Sequence, residues 1–239
     1  MIPVEICIDC SEHDAALASA SAAMSGGAHR IECCCDMHVG GLTPDATLIA
    51  KITNLVGNRM EVLVMIRPRD GDFDYSETEI EEMLDSISEM ASSGAHGVVF
   101  GVERDGDVPL EVLRTLTERA KSLALSVSFH RAYDAITNPH RFIEQLIEIG
   151  CDRVLSAGVP WDSNEGAISG VVGLNKTIFA ARGRIELVVG GGIAAANIST
   201  ILSRLSSTTA LSFHAYSSVR TDGETDESRI RSLVRRLAT

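Results

Sequence analysis

The chain has 239 residues, 45% hydrophobic, 23% charged and 4% aromatic, which excludes collagen-like, coiled-coil and disordered classes. Lys and Arg total 21 against 33 Asp and Glu, a formal charge of −12 that argues against nucleic acid and anionic membrane as partners. No apolar run approaches the roughly 20 residues of a membrane span, and the first ten residues carry Glu5 and Asp9 instead of a basic leader, so the reading is a cytoplasmic protein with reduced cysteines.

Short runs rich in Val, Ile and Leu begin near Pro3, Arg30, Met60, Gly97, Leu125, Asp152, Ile185 and Ala210, with stretches of helical period between them. The spacing is that of one βα unit. Eight such units predict an α/β fold, a (βα)8 TIM-type barrel, with residues 1–239 as a single domain. An open doubly wound sheet is the alternative, because periodicity does not reveal closure. Punctuation agrees with the helices. Ser11 with Asp14 and Ser76 with Glu79 read as capping patterns, and Thr43–Pro44 and Asn138–Pro139 as a cap followed by a first-turn proline. Gly27, Gly57, Gly94 and Gly150 stand where helices end. One turn recurs: Gly27-Ala28-His29-Arg30-Ile31, Gly94-Ala95-His96-Gly97-Val98 and Gly150-Cys151-Asp152-Arg153-Val154 each lead from a helix into a strand. The segment from Gly166 to Gly173 reads as part of a helix.

Polar residues toward strand C-termini of such a barrel carry function, and alternation tells which share a face. In the first strand Glu5, Cys7 and Asp9 oppose Val4, Ile6 and Ile8, and in the second Glu32 and Cys34 oppose Ile31 and Cys33. The aliphatic face packs on helices, so Glu5, Cys7, Glu32 and Cys34 are expected to point into the barrel. Cys33 and Cys151 read as small buried hydrophobes. Two close thiolates suit a soft ion such as Cu(I) better than a structural zinc site. Arg67 and Arg69, stiffened by Pro68, are candidates for anion binding. Ser126, Ser128 and His130 share a face that aims His130 inward as an acid–base group or ligand. Gly190, Gly191 and Gly192 precede a helix, where many barrels bind phosphate, and His214 faces opposite to Phe213. The remaining histidines, including His29 and His96, read as loop or surface groups.

Several strings resemble the CutC family. They are Val4-Glu5-Ile6-Cys7, Arg30-Ile31-Glu32-Cys33-Cys34 and Gly40-Gly41-Leu42-Thr43-Pro44, then Arg67-Pro68-Arg69-Asp70-Gly71-Asp72-Phe73-Asp74-Tyr75-Ser76. Phe129-His130-Arg131-Ala132-Tyr133-Asp134 is similar to the family's F-H-R-A-F-D, and Arg153-Val154-Leu155-Ser156-Ala157-Gly158, Gly190-Gly191-Gly192-Ile193 and Phe213-His214 complete the series in order. The resemblance implies a cytoplasmic TIM-type barrel that self-associates, as a dimer or tetramer, and a link to copper homeostasis. The thiols credited with copper in animal members match Cys7 and Cys34. Asp70 replaces the usual glycine, Cys10, Cys33 and Cys35 are additional thiols, and the tail after His214 is short. Two functions follow. In one, Cys7 and Cys34 bind Cu(I) beside Glu5 and Glu32. In the other, Glu5, Glu32 and His130 perform acid–base chemistry on a small anionic or sugar-like substrate held by Arg67, Arg69, Gly190, Gly191, Gly192 and His214.

Overall fold

A computed structural model describes residues 2–237. The strands are β1 (Val4–Asp9), β2 (Arg30–Cys34), β3 (Glu61–Met65), β4 (Gly97–Phe100), β5 (Ser126–Phe129), β6 (Arg153–Ser156), β7 (Glu186–Val189) and β8 (Leu211–Ala215). Each begins within one residue of its expected start. They pair in parallel in chain order, and β8 returns to β1 through Val4–Phe213, Glu5–His214 and Ile6–Ala215. The ring is closed, which removes the open-sheet alternative.

The helices are α1 (His13–Gly26), α2 (Ala46–Val56), α3 (Glu77–Ser92), α4 (Leu110–Ser122), α5 (Pro139–Ile149), α6 (Val171–Ala181), α7 (Ile198–Leu202) and α8 (Glu227–Arg235). Strand alternation divides the buried groups in two. Val4, Ile6, Ile8, Ile31 and Cys33 belong to the layer between sheet and helices, with Leu48, Ile52 and Leu116. Cys7, Cys34, Leu63, Met65 and Val99 form a separate inner cluster. Among the described residues no helix is long and apolar enough to cross a membrane. The outer face of α6 leaves Phe179 and Val172 exposed.

The recurring turn has a structural cause. His29 N–H donates to the Val4 carbonyl while His29 Nδ1 accepts from Val4 N–H. His96 makes the same two bonds with Val62, and Asp152 makes them with Val127 through its carboxylate. Each turn therefore grips the start of the preceding strand on both polar groups and sets the register of β1 with β2, β3 with β4, and β5 with β6. His29 and His96 lie in loops as expected, His96 exposed, and there they act as strand clamps.

Local expectations divide. Ser76 and Glu79 form a reciprocal capping box on α3. Asn138 precedes Pro139 at the start of α5, and Gly27 and Gly150 end α1 and α5 in the left-handed region. Ser11 does not cap α1; its hydroxyl donates to Asp9 Oδ1 at 2.6 Å and accepts from Asp36 N–H, tying the end of β1 to the end of β2. Asp45, not Thr43, caps α2, because the helix starts two residues later than the Thr-Pro pattern suggests. The Thr43 hydroxyl instead bonds both the N–H and the carbonyl of Arg67. Gly166–Gly170 precede α6 instead of lying within it. Their backbone folds back so near the end of β6 that a Cβ on Gly170 would sit 1.8 Å from the Ala157 carbonyl oxygen.

Candidate functional site

The inward residues rise in levels from the N-terminal floor to the C-terminal mouth. At the floor, Arg30 donates from Nε to Glu5 and from Nη2 to Glu186 and the Ser212 hydroxyl, with both ion pairs at 2.5 Å. Glu5 accepts on its other oxygen from His214 Nδ1 at 2.7 Å, and His214 Nε2 lies 3.7 Å from Glu32. Burial would raise the Glu5 carboxyl, but Arg30 and then His214 hold it down at about 2. Burial alone would strip the proton from His214, and the carboxylate of Glu32, with Cys7 and Glu5, holds it there instead. Burial, reinforced by Cys7 and Glu5, pushes Glu32 well above the usual carboxylate range despite His214.

Above this charged stack lie the sulfurs. Cys7 Sγ stands 3.9 Å from Cys34 Sγ and 3.7 Å from Met37 Sδ. The Cys34 thiol lies 3.6 Å from Glu32 Oε2. The hydrogen bond shared with Cys34 lowers Cys7 to about 6 against burial, with His214 assisting. The same bond and burial push Cys34 well up. Cys10 and Cys33 belong to the outer layer, and Cys35 donates to the Thr43 carbonyl at 3.1 Å. None of these three additional thiols lines the cavity.

Met37 had no signature in strand parity, because it lies beyond the strand. After β2 the chain bends through Asp36 in the left-handed region, makes one 3₁₀ turn at Met37–Val39, and returns so that Cys35 and Leu42 exchange backbone hydrogen bonds. Gly41, at φ +92°, lies against Cys34, where a Cβ would approach the Cys34 Cβ to 3.1 Å. The Gly40–Gly41 pair is the sequence cue for this return loop.

Beside the sulfurs is a cavity of about 190 Å³ lined by Glu32, Arg67, Phe73, His130, Arg131, Trp161 and His214 among others. Arg67 is only 3% exposed. Its Nη1 donates to the Val39 and Gly41 carbonyls and its Nη2 to the Gly71 carbonyl, so it fastens two mouth loops. Its Nε–H has no partner. His130 Nδ1 accepts from Ala132 N–H at 3.1 Å, which leaves the ring proton on Nε2, also without a partner. Burial, reinforced by Arg67, lowers His130 to about 3, so the ring is neutral and is a donor. Cys7, Glu32, Cys34, Arg67, His130 and His214 therefore line one cavity, while Glu5 stays off its lining, held by Arg30 and His214. Arg69 does not join them: the chain turns after Pro68, and Arg69 clamps its own loop through Asp72, Glu79 and the Asp74 carbonyl. Gly190, Gly191 and Gly192 also lie off the cavity lining. The Gly191 carbonyl accepts from Ala167 N–H and the Gly192 carbonyl from Asn197 Nδ2, so the turn is committed to packing against the β6–α6 loop. The helix that follows, α7, has only five residues.

The CutC family model matches residues 2–216, the whole barrel from β1 to the end of β8. The chain belongs to the CutC family. A CutC family protein of Vibrio atlanticus is 36% identical over 201 residues, 84% of this chain and 76% of its own length. One from Parabacteroides distasonis is 38% identical over 199 residues, 83% of this chain and 76% of its own. A solved CutC structure from Streptococcus agalactiae superposes with a TM-score of 0.80 at 27% identity, covering 92% of this chain and all of that one. A thiamine phosphate pyrophosphorylase from Pyrococcus furiosus superposes at 0.65 with 16% identity, over 99% of this chain and 96% of its own, a likeness of fold alone.

Proposed function

We propose that this CutC protein binds Cu(I) at the barrel mouth and serves copper homeostasis in the cytoplasm, with Cys7 and Cys34 as ligands and Met37 as a third sulfur donor. The observation that carries this reading is the sulfur spacing: 3.9 Å from Cys7 to Cys34 and 3.7 Å from Cys7 to Met37. Metal–sulfur bonds of about 2.3 Å put the sulfurs of a three-coordinate ion about 4 Å apart, which both spacings from Cys7 match. Soft thiolate and thioether donors select Cu(I) over harder cations. Glu32 and the charged His214 stand against the thiols, His214 stabilising the thiolate of Cys7 and Glu32 lying where it can take up the proton of Cys34. The name of the Streptococcus agalactiae structure associates that protein with copper homeostasis. The −12 charge offers no general attraction for polyanions.

Anaerobic titration of the reduced protein with Cu(I) against a competing chelator tests the reading. The parent is expected to take up one ion tightly. Cys7→Ser with Cys34→Ser should abolish that uptake, and Met37→Leu should weaken it by about tenfold, in the range seen when supporting groups of a metal site are removed. Unchanged affinity in the double variant, with a native circular dichroism spectrum, refutes the assignment.

A further inference from the structure

The cavity contains more binding groups than the sulfurs require. Arg67, on the first residues beyond β3, is a buried cation whose Nη1 and Nη2 donate to carbonyls, and among the described residues it makes no ion pair. An isolated buried charge is costly until a counter-charge arrives. Arg67 Nε–H and His130 Nε2–H are unpartnered, and both side chains pack on the Phe73 ring, Arg67 at 5.2 Å and His130 at 4.8 Å from its centroid. Arg131 supplies a third orphan at Nη2; its Nε donates to Asp134 and its guanidinium lies 5.0 Å over Trp161. Glu32 Oε1, from another strand on the same lining, is buried and equally unpartnered. Each such group costs about 1–3 kcal/mol while unsatisfied, and four on one cavity mark a ligand of matching polarity.

The charge count identifies the class. Arg131 is already neutralised by Asp134, so one guanidinium charge remains. Arg67 has spent its fork on carbonyls and offers a single N–H, and the glycine turn that would cradle a phosphate does not reach the cavity. The volume, about 190 Å³, lies below the roughly 300 Å³ at which drug-sized sites begin. We propose that the cavity binds a small hydroxycarboxylate, its carboxylate on the N–H groups of Arg67, His130 and Arg131 and its hydroxyl on Glu32. The site shares a wall with the sulfur cluster but uses none of its ligands.

Trp161 is the single tryptophan of the chain and its ring meets Phe73 edge-on at 5.4 Å, so it reports on this cavity directly. The experiment titrates reduced, metal-free protein with glycolate, following Trp161 fluorescence and heat of binding, with glycolamide as the uncharged control. A saturable response to glycolate and none to glycolamide is expected. His130→Phe and Arg131→Lys should each weaken glycolate binding about tenfold, the loss of one hydrogen bond to a charged group, with melting temperatures showing that the fold persists. Cys7→Ser should still bind glycolate, which separates this result from the copper reading. The proposal is overturned by the absence of any saturable signal with glycolate, by an equal response to glycolamide, by tighter binding of inorganic phosphate, or by full affinity in both folded donor variants.

Discussion

His130 links the burial of one ring to the behaviour of the protein in acid. Its pKa is lowered to about 3 by burial and by Arg67, whereas an unfolded histidine titrates near about 6.5. Between those values the unfolded chain binds the proton and the folded one does not, so stability falls as pH falls through that window. The loss is about 2 kcal/mol by pH of about 5. His214 adds no slope there: its folded value is raised, so both states are charged below the unfolded value. Its own contribution is lost as pH rises toward its folded value. Glu5, held at about 2, acts only below the ordinary carboxylate range. Glu32, held well up in the fold, works in the opposite direction, so the test is the difference between proteins: urea unfolding at neutral pH and near pH of about 5 should show the parent losing more stability than His130→Phe, and an equal change in both would place the titration elsewhere. The inward aim of His130, like that of Cys7 and Cys34, was legible from strand alternation. Its lost basicity was not, because that depends on Ala132 N–H and on Arg67, which arrive from other segments. Met37 was missed for a related reason: a two-residue period ends where the strand ends.

The clamp turns show what a repeat in sequence does for an element. In each, the third residue supplies a side-chain acceptor and a backbone donor to one residue of the neighbouring strand, which is why His or Asp occupies it and why glycine two residues earlier releases the chain from the helix. The sequence announced the turn but not its grip, since the partner strand lies about 25 to 34 residues away in the chain. Removing the acceptor strands the Val62 N–H at the edge of the barrel floor. His96→Ala is therefore expected to cost about 1–2 kcal/mol, read as a lower urea midpoint with unchanged m-value. His96→Asn, which keeps an acceptor, should recover most of it. The α3 capping box gives a second measure at this scale: Ser76→Ala loses the side-chain bond to Glu79 N–H and should cost about 1 kcal/mol. Thr43 warns against extending such readings, because its Thr-Pro pattern looked like a cap while its hydroxyl braces the backbone of Arg67.

For the whole molecule the question is what holds the ring closed, since β8 meets β1 over only three paired positions. Arg30 crosses that seam: from β2 it bonds Glu5 on β1, Glu186 on β7 and Ser212 on β8. His214 crosses it again to Glu5. An aliphatic floor would fill the same volume and is often as stable as buried ions, but it would not hold Glu5 ionised under His214, nor His214 charged beneath Cys7. The floor thus sets the electrostatics of the mouth. Arg30→Met removes the nearer cation from Glu5 and Glu186, leaving them His214 and, at 3.5 Å, Arg153, and should cost about 3 kcal/mol. Adding Glu5→Gln to that variant removes one stranded charge and should recover part of the loss, a non-additive cycle measurable by urea unfolding. The double variant should also weaken Cu(I) uptake where the fold survives, because His214 then loses the Glu5 carboxylate that orients it. Additive losses across the cycle would mean that the two residues act independently, and that the seam is held by the backbone ladder alone.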